Sequence, residues 1–525
     1  MSASAASSPA TPTSPAIEEA SPAAIVALVA AAMVSSINLG AANIALVRIG
    51  TALQATQADL THVGAAAILG MAGGVLYLGR LSQRWGRTRV IRIGIALSIP
   101  LSLAAAFAPS VGWLIAARVA IGVVGAMIYP NTLATIVATT ADHRRQRGIG
   151  LWFGFSVGAA ALGPVIAGVL MHWFWWGTAF LVSVPVCVVA ITLSGSLPAR
   201  AGEDRHDVDH VAGWLSVGGI AILVAALSLG GTPVPLPVAA LAGAAAILAA
   251  IAFLHRQRTR PHPMFDLRVA ARPAFWIAAI AGSTLVGSML AAFFLGQQFM
   301  QHVLHYSTTA AGLAVLPTGV AIVLLSPRAA GWGATFGGRT MLLAGSAITA
   351  IGFGLMLAWG EDGSYLPIGG AYLALGAGVG LVGPTVSRTL MATVPRSQLA
   401  MGSATSDLQS CLGGAVLIAI LGSVLAVGYH HAFDASVASL PGLDAEDASS
   451  LARRSPAAAE RLVSTMSPEV RDRVDDLLRS SFIEGFRWAL LGGLAALALV
   501  AVVVGVLFPG RLRQRELEAA YAAES

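Results

Sequence analysis

Runs of about 20 residues without a single charge recur along the chain, and few architectures can house them. Residues 23–45, 310–325 and 490–508 contain no Asp, Glu, Lys or Arg. As helix, such a run spans the ~30 Å hydrocarbon core of a bilayer. A transmembrane β-barrel needs polar and apolar residues to alternate over ~10-residue segments, and these runs are uniformly apolar and rich in Ala and Leu. A soluble domain of this size would still have to face water, and carries about 25% charged residues; this chain of 525 residues carries 11%. The expectation is an all-α integral membrane protein.

Length and flanking charge predict about fourteen spans, at residues 24–46, 60–78, 91–107, 113–137, 149–170, 177–193, 211–229, 236–253, 275–299, 310–325, 341–358, 366–386, 400–427 and 488–508. Every one of the 31 basic residues is Arg, and their placement orients the set. With the N-terminus inside, the inside loops hold Arg80, Arg84, Arg87, Arg89 and Arg92, then Arg144, Arg145 and Arg147, then Arg256, Arg258, Arg260, Arg268 and Arg272, and finally Arg511, Arg513 and Arg515. The short outside loops hold almost none, Arg48 being the exception, which is the asymmetry that membrane insertion imposes. An even number of spans puts both termini in the cytoplasm, and the bilayer is the cell's inner (plasma) membrane. The formal net charge of +6 is accounted for by these loops, so no nucleic-acid partner is expected. Cys187 and Cys411 fall inside apolar runs and read as small packing residues, not as a disulfide or metal pair.

Residues 1–22, rich in Ser, Ala, Thr and Pro, read as a disordered cytoplasmic tail. Residues 23–199 and 273–508 read as two six-helix halves, residues 200–272 as a linker carrying two extra spans, and residues 509–525 as a second cytoplasmic tail. The long segment 430–485 is mixed in charge and falls outside. Within it Ser467-Pro468-Glu469 is a helix start: a capping residue, Pro at the first position and an acid in the first turn. Val470, Val474, Leu477 and Leu478 then share one face. An amphipathic helix lying over the outer surface and leading into the last span is expected, a solvated loop being the alternative.

The halves announce themselves through a repeat. Gly122-Val-Val-Gly-Ala-Met-Ile-Tyr-Pro130 resembles Gly376-Ala-Gly-Val-Gly-Leu-Val-Gly-Pro384 with the same Gly-to-Pro spacing, and Trp85-Gly86-Arg87 resembles Phe336-Gly337-Gly338-Arg339. Repeated halves are the mark of transporters whose substrate sits between them. After the second span stands Gly79-Arg-Leu-Ser-Gln-Arg-Trp-Gly-Arg-Thr-Arg89. The fourth span carries Arg118-Val-Ala-Ile-Gly122 and Pro130, and the fifth carries Gly163-Pro164-Val-Ile-Ala-Gly168. These stretches resemble signatures of the major facilitator superfamily, and within it the fourteen-helix drug:proton antiporters of the EmrB/QacA type.

That resemblance implies a major facilitator fold with two extra central helices. It implies alternating access, and efflux of small amphipathic organic compounds in exchange for protons, with no cofactor and no enzymatic step. It assigns gating or packing roles to Gly79, Gln83, Arg84, Gly86, Arg87, Gly122, Pro130, Gly163, Pro164 and Gly168. Three positions depart from the pattern. Gln83 replaces the Asp of the gating turn, Ile121 replaces a Gln beside Arg118, and Asn38 replaces the first-span acid implicated in coupling; Asn43 matches a family Asn. The rival readings are a specific metabolite exporter, an uncoupled facilitator, and a non-transporting membrane sensor or enzyme.

A charge deep in hydrocarbon costs several kcal/mol, about 2.5–3.5 on insertion scales. Asp407, about 12 Å into the thirteenth span by helical rise, reads as a protonatable carboxylate on the cavity wall or else a paired packing acid. Arg118 reads as a partner to a substrate or to the proton relay, or else as an arginine snorkelling to the outer surface. Asn38, Asn43, Phe294, Gln297, Gln298, Gln301 and Gln409 are candidates for the substrate cavity, with Phe293 beside them. Nothing resembles a nucleotide-binding loop, a zinc motif or a redox Cys pair.

Overall fold

The computed structural model describes residues 21–140, 142–198, 208–228, 236–260, 263, 267–360, 364–393, 399–437 and 468–510. The tails 1–20 and 511–525, the linker residues 199–207 and the tip 438–467 of the outer segment lie outside these residues. The first half comprises α1 (Pro22–Leu53), α2 (Gln57–Trp85), α3 (Arg87–Ala106), α4 (Val111–Thr139), α5 (Asp142–Trp173), α6 (Thr178–Leu181) and α7 (Ser183–Leu193). Two extra helices follow, α8 (His210–Ser228) and α9 (Leu236–Thr259), then the short α10 (Leu267–Ala270). The second half comprises α11 (Pro273–His302), α12 (Thr308–Ala314), α13 (Leu316–Phe336), α14 (Gly338–Leu357), α15 (Tyr365–Ala392), α16 (Leu399–Val437) and α17 (Pro468–Leu507). Among the described residues, thirteen helical stretches are long and apolar enough to cross a membrane, and a shorter apolar one lies within α8.

Local chemistry sets the boundaries. Ser21, Ser110 and Ser307 cap α1, α4 and α12 through their hydroxyls, and Thr56 with Asp59 makes a reciprocal capping box on α2. Pro185 lacks the N–H that would continue a helical ladder and crowds the preceding turn, and one apolar run there is split into α6 and α7. Pro317 falls in the first turn of α13, where the missing donor costs nothing, just after α12 ends.

The two halves repeat in three dimensions. In each, the second and fourth helices pack together, as α2 on α4 and α13 on α15, and the first packs on the fifth, as α1 on α5 and α11 on α16. Gly86 joins α2 to α3 at φ 93°, and Gly337 joins α13 to α14 at φ 86°, backbone that a side chain would strain. A Cβ on Gly122 would run into the Ala67 carbonyl of α2, and one on Gly376 into the Thr318 carbonyl of α13. The residues that betray the repeat in sequence therefore sit at equivalent close contacts.

Between the halves α2 packs on α16, and α5 on α12 and α13. α8 lies against α2 and α16, burying Leu76 with Ala212 beside Leu408. The outer segment differs from the surface helix expected. The helix does begin at Pro468 and runs unbroken to Leu507. Val474, Leu477 and Leu478 bury their face in the main core alongside Tyr429 and Phe433 at the far end of α16. At ~1.5 Å per residue, α16 and α17 are nearly twice the hydrocarbon thickness, so their mixed-charge ends project beyond it as a paired extension. The apolar face that would otherwise lie on a bilayer surface is taken up by the seam with α16.

Candidate functional site

A cavity of about 370 Å³ lies between the halves. α1 contributes Ser36 and Asn43, α4 Tyr129, α5 Ser156 and Pro164, α11 Met289, Phe293 and Gln297, α13 Thr318, and α16 Asp407, Ser410 and Cys411. The wall is mostly apolar. Among the described residues, Asp407 is the one acid on it, and no Arg, Lys or His lines it. Asp407 is half-buried, and its helix reaches the cavity because Gly413 lets α16 close on the Ser283 carbonyl of α11. Ser410, one turn on, lines the cavity with it and donates to the Ser406 carbonyl at 3.0 Å.

Tyr129 immediately precedes Pro130, a proline inside α4 that interrupts the helical ladder where the cavity approaches. Pro164 occupies the same role in α5 and lines the cavity itself. Gly163 seats on Ile37 of α1. A Cβ on Gly168 would stand 2.5 Å from the Thr308 carbonyl of α12, so Gly168 sets the closest approach of the two halves there.

The other candidate residues separate into distinct places. Asn43 and Gln297 line the cavity, one from each half. Asn38 is buried and borders a separate void of about 10 Å³, the size of one water. Phe294 is fully buried at the seam, its ring against Gly64 of α2. Gln298 accepts from Gln57 Nε2 at 2.9 Å, and Gln301 donates to the Ile44 carbonyl at 3.2 Å. Gln409 is buried between Ser406 and Ser410 and packs toward Gly282 of α11. The polar cluster that sequence presents as one patch is thus divided between cavity, seam and helix interface.

Arg118 does not snorkel. It is fully buried, donates from Nε to the Val63 carbonyl at 2.8 Å and from Nη1 to the Asn38 carbonyl at 3.2 Å, and stands over the Phe180 ring at 5.8 Å. It joins α1, α2 and α4 and is not on the cavity wall. His302 is buried against Phe482, 5.7 Å between rings; His305 meets Arg479 at 2.8 Å.

Near the end of α2, Gly79 has open space where a Cβ would stand. Gln83 accepts from Arg80 at 3.4 Å, Arg84 is exposed and Arg87 half-buried. The cavity residues that sequence reasoning missed are Ser36, Tyr129, Ser156 and Thr318. Only Tyr129 carried a signal, its place beside the repeated proline.

The model of the major facilitator superfamily matches residues 28–418. The chain is 29% identical to the multidrug efflux pump LfrA of Mycolicibacterium smegmatis, over 83% of this chain and 86% of that one. It is 30% identical to the methyl viologen resistance protein SmvA of Salmonella typhimurium, over 82% and 87% respectively. Its fold superposes on an inward-facing, occupied bacterial homologue of the human lysosomal transporter Spinster with a TM-score of 0.62 at 15% identity, covering 93% of this chain and 97% of that one. Two repeated helical halves around one central cavity, and a family match across most of their length, lead to one assignment: the chain belongs to the major facilitator superfamily, as a multi-pass membrane transporter and not an enzyme.

Proposed function

We propose that the chain is a proton-coupled exporter of small amphipathic organic compounds, working by alternating access around the central cavity. The observation that carries this reading is a carboxylate, Asp407, the one acid among the described residues of a mostly apolar wall shared by both halves. The cavity volume falls in the ~300–1,000 Å³ range of small-molecule sites. Its apolar residues take the body of an amphiphile, while Asn43, Gln297 and Ser410 offer a few polar contacts. A carboxylate that can face either side in turn is what a proton carrier requires. The names of two relatives, a multidrug efflux pump and a methyl viologen resistance protein, support an export reading.

In this reading the halves 23–199 and 273–508 rock about the site, the segment 200–272 adds two central helices to make fourteen, and both termini are cytoplasmic in the cell's inner (plasma) membrane. The Arg-rich turn at Gln83, Arg84, Gly86 and Arg87 closes the cytoplasmic side. Arg118 contributes to coupling by fixing the backbones of α1 and α2 rather than by carrying protons.

The test is Asp407→Asn, which keeps size and hydrogen bonding but cannot titrate. In everted vesicles with an amphipathic dye, the variant is expected to lose accumulation driven by a pH gradient while retaining dye exchange. Undiminished accumulation by the variant overturns the assignment. The neutral residues at Asn38 and Gln83 favour a second reading, an uncoupled facilitator. It is distinguished by a parent protein that exchanges dye but never concentrates it in response to a pH gradient.

A further inference from the structure

Beyond the cavity, at the end of the bundle where α2 begins, the two halves meet through neutral amides. Gln57, in the first turn of α2, and Gln298, on α11, are both buried, at 1% and 0% exposed. Gln57 Nε2 donates to Gln298 Oε1 at 2.9 Å, and Gln298 Nε2 donates to the Phe294 carbonyl of its own helix at 3.3 Å. That second bond fixes which way the Gln298 amide points and presents its oxygen to the opposite half. Gln301, three residues on and so on the same helical face, donates to the Ile44 carbonyl of α1 at 3.2 Å. Gln297, at the neighbouring position, instead donates to the Ala311 carbonyl within its own half and lines the cavity.

The surroundings fit a tight seal. A Cβ on Gly64 would stand 2.7 Å from the Phe294 ring, and one on Gly422 of α16 would stand 2.5 Å from the Thr61 methyl of α2. Thr308 donates to the Gly168 carbonyl across the other seam at 3.0 Å. At this end the halves approach nearly to backbone contact, with no ionised side chain in these bonds.

We propose that Gln57 and Gln298, seconded by Gln301 on the Ile44 carbonyl, form the latch that closes the cavity at the α2-start end and must part for it to open there. The proposal rests on the alternating-access reading above. Its chemistry suits a gate. A buried amide pair is stable while dry, and when it parts in an opening cleft both amides are met by water. The exchange is close to balanced, so the two states stay within reach of one another. Because neither partner titrates, the latch itself is indifferent to pH and leaves proton dependence to Asp407.

The test uses native Cys411, which lines the cavity, as the sole thiol in a Cys187→Ser background. A membrane-impermeant maleimide is applied to intact cells and to inside-out vesicles, and the ratio of labelling rates from the two sides is read. Gln298→Leu is expected to raise the rate from the α2-start side about 2- to 10-fold, the net worth of one lost hydrogen bond, and to lower it from the other side. Gln57→Leu is expected to do the same, and the double variant to shift the ratio no further than either single one, since both remove one bond. An unchanged ratio in both single variants, or effects that multiply in the double, overturns the proposal. Should Gln298→Leu not accumulate in the membrane, Gln301→Leu carries the same expectation, and an unchanged ratio there overturns the proposal equally. No substrate enters the measurement. A parent that transports nothing but shows the shift sinks the exporter reading alone, and normal transport without the shift sinks the latch alone.

Discussion

Asp407 and Arg118 bear the same cost of burial and meet it in opposite ways. The guanidinium donates from Nε and Nη1 to two backbone carbonyls and stands over an aromatic face, while its Nη2 is buried without a hydrogen-bond partner. The carboxylate lies on the wall of the central cavity, where among the described residues no cation stands. Glycines divide as sharply. Gly86 sits at φ 93° and ψ 126°, a conformation closed to other residues, whereas Gly79 lies in a helix with open space around it. Gly86→Ala should therefore cost about 1–3 kcal/mol, while Gly79→Ala should be neutral or gain up to about 1 kcal/mol of helix propensity. Thermal unfolding midpoints of the two purified variants in detergent check this; equal shifts would mean that the motif's glycines serve one common purpose. Gly122→Ala should fall with Gly86→Ala, because its methyl meets the Ala67 backbone rather than a movable side chain, at about 1–3 kcal/mol for overpacking.

Among the elements, α8 is held by groups that lie outside the bilayer. Asp209 caps it through the Ala212 N–H at 3.0 Å and pairs with Arg256 of α9 at 2.7 Å. Burial alone would raise the Asp209 carboxyl, but the Ala212 N–H and the Arg256 and Arg260 guanidinium groups outweigh it and hold the carboxyl below its ordinary value. A depressed carboxylate stabilises the fold above the unfolded-state value of about 4 and loses that contribution only as pH falls through the still lower folded value. Asp209→Asn should loosen α8 by about 1 kcal/mol, seen as faster hydrogen exchange across His210–Ser228. The difference from the parent should be the same at pH 8 and pH 5; a difference that fades over that interval would mean a group other than Asp209 holds the helix.

Elements were legible in the sequence wherever lipid dictates composition: uncharged runs such as 490–508 cannot be anything but span. α16 and α17 outgrew their predicted spans because beyond the bilayer the code changes to a one-sided apolar face, as at Val474, Leu477 and Leu478, which does not say whether the partner is a membrane or another helix. The candidate site was legible at Asp407, because a charge in hydrocarbon stands out. Gln297, Gln298 and Gln301 were visible only as a group, since adjacent positions on a helix point about 100° apart and sequence does not say what stands opposite each.

For the whole molecule, polar contacts at helix ends constrain how the chain threads the membrane. Arg92 near the start of α3 donates to the Ser194 carbonyl just past α7 at 2.7 Å. That places the ends of α2 and α7 on one side, as six crossings require. Tyr77, near the end of α2, bonds His210 at the start of α8 at 2.8 Å, so α8 departs from that same side. Asp209 then pairs with Arg256 at the end of α9, so α9 returns to it. α8 and α9 therefore form an antiparallel pair that leaves the sidedness of everything after it unchanged, whatever the depth to which α8 reaches. The same side carries Arg80 to Arg92 and Arg256 to Arg272, and Arg-rich short loops stay in the cytoplasm. Five further crossings, through α11, α12 with α13, α14, α15 and α16, bring the chain to the opposite side before α17 returns it. A reporter fused after Arg260 should accordingly be active only in the cytoplasm, and one inserted near Ser449 only outside. Activity of both on one side would break the six-plus-two-plus-six arrangement. It would also reassign the α2-start end of the cavity, so this measurement fixes the direction in which the Gln57–Gln298 seam faces.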